Sequence, residues 1–312
     1  PYQENDGSMP ADIWASAPLR GKPYCAVASL AFNPLYSDVD PVNMAGLMII
    51  ESVTKLAAAG VKHNEIVLCD NFYTPKVNNE MAAVLSGMVD RCCDYSRLFG
   101  TPFISGKDSS SGTFIGAGGE RIDIPPTLAV MAMGRISDAR KLIPKPWQSA
   151  GSVLLAAGPL TTETGGSVLN DALNLNGGLL PDPDPEEVKA FWQGLNRLQE
   201  KGIVRAAAAV AEGGIIMKLF EMSLGSGLGC SIDSSSLPRD LHSLFTEMIG
   251  SVILEVSPEH VSDVKSAVPA VPIGKTVNQH HIEILKDSAP VVTLYMDDLV
   301  PVWEKPFKEV VR

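Results

Sequence analysis

Short, nearly continuous apolar runs alternate along this chain with stretches whose apolar residues fall three and four positions apart. The first pattern predicts buried strands and the second predicts amphipathic helices. Tyr24 to Phe32 reads as a strand. Asp40-Pro41 opens a helix, because Asp accepts from free N–H groups at a helix start and Pro at the first helical position loses no bond. That helix runs to about Ala59, with Gly60 as its left-handed stop. Glu65 to Cys69 predicts a short strand, followed by a polar loop from Asp70 to Asn78. Met81, Val84, Leu85, Met88 and Cys92 share a helical face, and Gly100 closes that helix. Pro102 to Ser105 predicts a strand, Gly106 to Gly112 a loop of small residues, and Thr127 to Ile136 a further strand.

The pattern then restarts. Leu142 to Trp147, with Pro144 and Pro146, reads as a linker. Beyond it, strands are expected at 152–157, 229–233, 251–256, 270–274 and 281–286, with helices at 186–201 and 214–224. Residues 1–23 carry no periodic segment and are expected to be poorly structured. The organisation that follows is an N-terminal domain at 24–147 and a C-terminal domain at 148–312. Helices alternating with strands in both halves make the class α/β or α+β.

Composition narrows the function. Apolar residues make up 45% and charged residues 20% of the 312, an ordinary globular balance. The net charge of −11 repels phosphate backbones and argues against a nucleic-acid partner. The most apolar stretch, Met44 to Ile50, is far short of the ~18 residues that argue for a membrane helix, so no membrane role is expected. The five cysteines (Cys25, Cys69, Cys92, Cys93, Cys230) include no C-x-x-C spacing, which fits a reducing cytoplasm better than a disulfide or zinc framework.

Four segments carry candidate chemistry. Ser105-Gly106-Lys107-Asp108-Ser109 places one lysine among small residues after a strand, and exposed N–H groups with an ammonium suit phosphate. It is not a Walker loop, since Asp108 stands where a hydroxyl would ligate magnesium. The residues alone leave open a flexible surface loop. Asp70 ends a strand, where a carboxylate suits Mg²⁺ or an Asx turn. Gly165-Gly166-Ser167 lets a ligand approach the backbone or forms a plain loop. Gly213-Gly214, after Glu212, opens a helix whose free N–H groups favour an anion, or simply start the helix.

Taken in order, these segments resemble a known family. Asp40-Pro41 with Met44 and Glu51, Cys69-Asp70-Asn71-Phe72, Gly100 through Ser109, Ile124-Pro125-Pro126-Thr127-Leu128, Gly165-Gly166-Ser167, Glu212-Gly213-Gly214, Glu221-Met222 and Leu244-Phe245-Thr246-Glu247 are similar to the second synthetase repeat of the phosphoribosylformylglycinamidine synthase family. The likeness covers roughly residues 24–285. It implies a PurM-like unit of the aminoimidazole ribonucleotide synthetase superfamily, in which the N-terminal domain pairs its sheet with an equivalent domain. It also implies an ATP- and Mg²⁺-dependent ligase that converts formylglycinamide ribonucleotide to its amidine with ammonia from glutamine. Ser105, Gly106, Lys107, Asp108, Ser109, Gly166, Ser167, Gly213 and Gly214 are then expected at nucleotide or phosphate, and Asp70, Glu51 and Glu212 at metal. The implied partners are a first synthetase repeat and a glutaminase subunit or domain, with a homodimer if the unit is isolated.

The chain also departs from the family. Where the family reads like His-Asp-x-Ser-Asp/Glu before the two glycines, this chain has Ala208, Ala209, Val210, Ala211 and Glu212. The family's catalytic histidine motif belongs to the first repeat and has no counterpart here, so no catalytic residue is assigned. An alternative is therefore a degenerate, non-catalytic nucleotide-binding or structural unit. A different superfamily member, such as a small-molecule kinase or a maturation factor, fits the Gly100–Ser109 segment less well.

Overall fold

The computed structural model describes residues 9–310. The first part contains β1 (Ile13–Ser16), β2 (Cys25–Ala31), α1 (Pro34–Val39), α2 (Pro41–Ala58), β3 (Val67–Tyr73), α3 (Asn79–Phe99), β4 (Phe103–Ser109), β5 (Thr113–Ile115), β6 (Arg121–Asp123) and β7 (Thr127–Ile136). The second part contains β8 (Val153–Ala157), α4 (Val168–Ala172), α5 (Pro185–Glu200), β9 (Val204–Ala209), α6 (Gly214–Leu224), β10 (Gly229–Asp233), α7 (Asp240–Ser243), β11 (Val252–Val256), α8 (Val261–Ala267), β12 (Ala270–Val277), β13 (His281–Lys286), β14 (Ala289–Tyr295) and α9 (Met296–Val310). Two mixed sheets form, in strand orders β1-β2-β7-β3-β4 and β14-β13-β10-β12-β8-β11-β9, and β5 and β6 make a separate hairpin. The class is mixed α/β, as expected.

Local chemistry sets the helix ends. Asp40 Oδ1 accepts from the N–H groups of Val42 and Asn43 at 3.0 and 2.9 Å, so α2 starts where Asp-Pro predicts. Asn78 caps α3 in the same way, and Gly100 ends it at φ +70°. Helix α2 is buried along its whole length except at Pro41, Val42, Asn43 and Lys55. A helix apolar on all sides needs cover on all sides. The first sheet covers one side, and α3, α5 and β9 cover the others. Trp192 of α5 donates to Thr54 Oγ1 at 3.0 Å and meets Phe99 edge-to-face at 4.8 Å. One apolar core thus runs from Val27 of the first sheet to Leu254 of the second.

Three expectations are corrected. Within the segment read as poorly structured, Ile13–Ser16 form β1, paired antiparallel with β2 from Ile13↔Ser29 to Ser16↔Ala26; residues 1–8 of that segment lie outside the described residues. Four residues are too few to show a period, and the ladder supplies what the pattern lacks. The polar loop from Asp70 is strand as far as Tyr73, and the small-residue loop from Gly106 is strand as far as Ser109. These polar ends pair with each other in register, Asp70↔Gly106 to Tyr73↔Ser109, at the sheet's edge, where Asp70–Tyr73 are half-buried and Gly106–Asp108 exposed, so polar side chains cost little.

Candidate functional site

Three places bring the sequence candidates together with residues that the pattern does not single out. The first is the polar end of the β3–β4 pair. Asn71 and Lys107 lie opposite each other. The exposed Lys107 ammonium donates to Asp108 O and to Ser109 Oγ, each at 2.9 Å, and Ser109 Oγ lies 3.4 Å from Asn71 Oδ1. Gly106 lies against Asp70, whose Oδ1 would stand 2.3 Å from a Cβ at this position and would have to swing aside. Burial raises the Asp70 pKa, with the Lys107 backbone N–H pulling the other way. The nest reading of this segment is corrected. Gly106–Ser109 belong to the β ladder, and the Gly112 N–H is spent on Thr74 O. The side chains at this end are the Lys107 ammonium and the hydroxyls of Ser105, Ser109 and Ser110.

These residues share a face with an apolar surface. Residues directly opposite in a ladder point the same way, and alternate residues along a strand repeat it. Trp14, Ala28, Met133 and Val67 form one row, and Leu30, Met131, Cys69 and Ser105 form the next. Trp14, Leu30, Met131 and Met133 are exposed, and so is Phe32, which stacks edge-to-face on Tyr73 at 5.8 Å.

The second place joins the two glycine pairs. Gly166 at φ +65° lies against α1, where a Cβ would meet Leu35 O at 2.8 Å. Ser167 is buried and caps α4 through Asn170 N at 3.2 Å. Gly213 and Gly214, at φ +75° and +72°, turn the chain into α6. The N–H groups of Gly213 and Val168 converge on one oxygen, at 3.0 and 2.9 Å, and that oxygen is Oε1 of the buried Glu247. Its other oxygen accepts from Tyr36 at 2.5 Å. At this helix start the Gly214 N–H is spent on Ala211 O, and the group that meets the Gly213 N–H is the chain's own carboxylate. Glu247 lies in a segment quoted for the resemblance with no role attached. The signal that marks it is a lone carboxylate among residues that fold inward.

The third place is the crevice between α2, the connecting segment and α6. Glu51 is buried, with Oε1 2.5 Å from Lys55 Nζ and Oε2 without a partner. Burial pushes its pKa up from 4.5 to about 7; Lys55 works against this and Glu212 adds to it. Beside it, Lys145 and Lys218 bridge Asp12 and Glu221 at 2.7 to 3.4 Å. Asp12, Lys145 and Lys218 are missed by sequence reasoning. Asp12 lies in a segment without a period, Lys145 between two prolines, and Lys218 in an apolar helix.

The expected metal set does not assemble. Asp70 belongs to the first place, whereas Glu51 and Glu212 face the crevice. Among the described residues no three His, Cys, Asp or Glu side chains are grouped to hold an ion. An ammonium against the inner carboxylate does not fit a resident divalent cation. Among the described residues, no helix is long and apolar enough to cross a membrane.

Residues 149–287 match the family model described as "AIR synthase related protein, C-terminal domain". The chain is 28% identical over 255 residues to the phosphoribosylformylglycinamidine synthase subunit PurL of Helicobacter hepaticus, an alignment covering 79% of this chain and 33% of that one. It is also similar to Thermotoga maritima PurL complexed with FGAR, with TM-score 0.75 and 15% identity, covering 96% of this chain and 49% of that one. For T. maritima PurL complexed with ATP the values are 0.71 and 16%, over 89% and 44%. At that identity the structures speak for the fold alone. The chain spans about a third of the length of the curated relatives it matches.

Proposed function

We propose, from the premise that this chain belongs to the PurL/PurM-like superfamily, that it is the second synthetase unit of a phosphoribosylformylglycinamidine synthase. The observation that carries this reading is one of extent: about four-fifths of the chain aligns with a PurL subunit while spanning only a third of it. Such a chain corresponds to one unit of a larger assembly. We divide it into a PurM-like N-terminal domain at 24–147 and a C-terminal domain at 148–312, although they share one core. The whole reaction, in the cytoplasm and within de novo purine synthesis, activates the amide oxygen of formylglycinamide ribonucleotide with ATP; ammonia from glutamine then displaces phosphate to give the amidine.

This unit's own contribution lies on the open face of the first sheet. Its apolar rows suit an equivalent sheet from the first synthetase repeat, or from a second copy when the unit is alone. Lys107 stands at the polar end of that face, where an ammonium neutralises charge on a phosphate held between the two sheets. The glutaminase subunit or domain joins the complete assembly. No step is assigned to magnesium in this unit, because its carboxylates do not fit one.

The second reading, a non-catalytic supporting unit, is favoured by the alanines of β9 and by Glu247 taking the Gly213 N–H that the sequence offers to an anion. The test is turnover of formylglycinamide ribonucleotide with ATP and ammonia, by the chain alone and with a PurL first repeat. No turnover alone and turnover on addition supports the synthetase reading. No gain from the first repeat while both bind each other favours the supporting unit. Turnover by the chain alone refutes both.

A further inference from the structure

The crevice holds Glu51, Glu212, Asp12 and Glu221 within one electrostatic neighbourhood, and Lys55, Lys145 and Lys218 face them. Carboxylates grouped this way in a fold that acts on phosphates invite a divalent cation. A cation needs their lone pairs, with oxygens at about 2.0–2.1 Å for Mg²⁺. Here an ammonium already holds one oxygen of Glu221, of Asp12 and of Glu51, while Glu51 Oε2 has no partner among the described residues. Glu221 Oε2 accepts from Lys145 at 2.7 Å and from Lys218 at 2.8 Å. Asp12 Oδ1 accepts from the same two lysines at 2.9 and 3.4 Å, and Glu51 Oε1 accepts from Lys55. Lys145 reaches further, to Pro10 O at 3.0 Å, and so holds the N-terminal segment in the crevice. The space left beside these groups is a cavity of ≈ 20 Å³ lined by Met9, Asp12, Lys55 and Lys145, among others. That is room for about one water and not for a nucleotide.

We propose that Lys55, Lys145 and Lys218 take the electrostatic place of a divalent cation in this crevice, making it a metal-independent lock that fastens the N-terminal segment, α2, the connecting segment and α6 to one another. The charges agree with this. Burial disfavours each ammonium, yet the surrounding carboxylates hold Lys55 and Lys218 above the ordinary lysine value. Burial likewise raises Asp12, and the ammonium groups of Lys218 and Lys145 more than reverse it. The inference does not depend on the ligase reading, because it concerns only this chain's own side chains.

The test uses Mn²⁺ alone as the probe, followed by loss of its free electron-paramagnetic signal, with the full chain. Wild type is expected to bind no Mn²⁺ up to about 1 mM and to unfold at the same temperature with and without Mg²⁺. Lys55→Gln frees the Glu51 carboxylate beside Glu212 and is expected to bind Mn²⁺ at least tenfold more tightly than wild type, in competition with Mg²⁺. One Mn²⁺ bound by wild type at sub-millimolar concentration overturns the proposal, as does a Lys55→Gln chain that binds no better than wild type. If Lys55→Gln does not fold, Glu51→Gln combined with Lys55→Gln removes the charge pair together. That chain is expected to fold without metal and to ignore Mn²⁺; its failure to fold would show that the pair acts through packing, and the proposal falls.

Discussion

Tyr36 donates its hydroxyl to Glu247 at 2.5 Å across 211 residues of sequence, and this bond clamps α1 onto the turn that leads into β11. Around it, one carboxylate gathers a buried phenol and the part-buried backbone N–H groups of Val168 and Gly213. Burial raises the pKa of Glu247, and burial together with the Glu247 charge raises that of Tyr36, so the phenol remains the donor.

Removing the acceptor strands all three donors. Glu247→Ala is expected to cost about 3 kcal/mol or more, since each buried unsatisfied group costs about 1–3 kcal/mol. Tyr36→Phe, which takes away one donor, is expected to cost about 1–2 kcal/mol. Urea denaturation at neutral pH measures both. Acetate or formate should restore part of the loss in Glu247→Ala, because a small carboxylate can enter the vacated position. A loss under 0.5 kcal/mol would mean that the cluster is incidental to the fold.

The pH dependence of stability turns on Glu51. Its pKa is raised from 4.5 to about 7 in the folded chain, so the folded state binds this proton more tightly than the unfolded state does. The stability tied to it is complete below about pH 4.5 and is lost as pH rises through 7. A shift of this size corresponds to about 3 kcal/mol. Glu51→Gln has no such proton to lose. Its stability relative to wild type should therefore rise by about 2–3 kcal/mol between pH 5 and pH 8. Parallel curves for the two proteins would show that Glu51 is already ionised at pH 5. The groups that set the value are Lys55, Glu212 and Lys218, so Lys55→Gln should move the whole curve to higher pH.

The open sheet face should associate. Trp14, Leu30, Met131 and Met133 lie in adjoining rows and are exposed among the described residues. Sedimentation of the isolated chain at micromolar concentration is expected to show a dimer. Met131→Glu, at the centre of the rows, should give a monomer with unchanged helix and strand content. A monomeric wild type would leave these side chains as ordinary exposed residues.

The parts of the fold that can be read from the sequence are those whose cause is local. Asp40 and Pro41 start α2, Gly100 stops α3, and the solid run at 127–136 is β7, because caps and apolar runs act within a few residues of themselves. The illegible parts owe their form to partners distant in sequence. β1 exists because β2 lies beside it, and Asp70–Tyr73 and Gly106–Ser109 are strands because they pair with each other, against their polar composition. The site divides the same way. The glycines at 166, 213 and 214 and the lysine at 107 announce themselves by type and setting. Glu247, Asp12 and Lys145 acquire their roles only through contacts made across 34 to 211 positions. Nothing near them in the chain marks those contacts.

Lys107 gives the sharpest test of where phosphate meets this unit. Its ammonium is exposed, and its partners are Asp108 O and Ser109 Oγ, both within two residues. Such short-range contacts cost little to redirect toward a ligand, and a surface lysine contributes little packing. Lys107→Ala should therefore leave the unfolding midpoint unchanged. Lys107 is the one cationic side chain on β4, so its ammonium is the main charge available to an anion at this end. Its loss should remove a charge-assisted bond of about 1.5–3 kcal/mol, or roughly a ten- to hundredfold weakening of binding. Titration calorimetry with ATP and with formylglycinamide ribonucleotide, on the chain joined by a PurL first repeat, compares wild type with Lys107→Ala. Asp108→Asn provides the opposite sign, since it takes away a neighbouring negative charge and should tighten the same ligand. Equal binding by all three proteins would move the phosphate away from this sheet edge. Weakening in Lys107→Ala together with tightening in Asp108→Asn would fix it beside the β4 strand, on the face that Trp14, Leu30 and Met131 leave open.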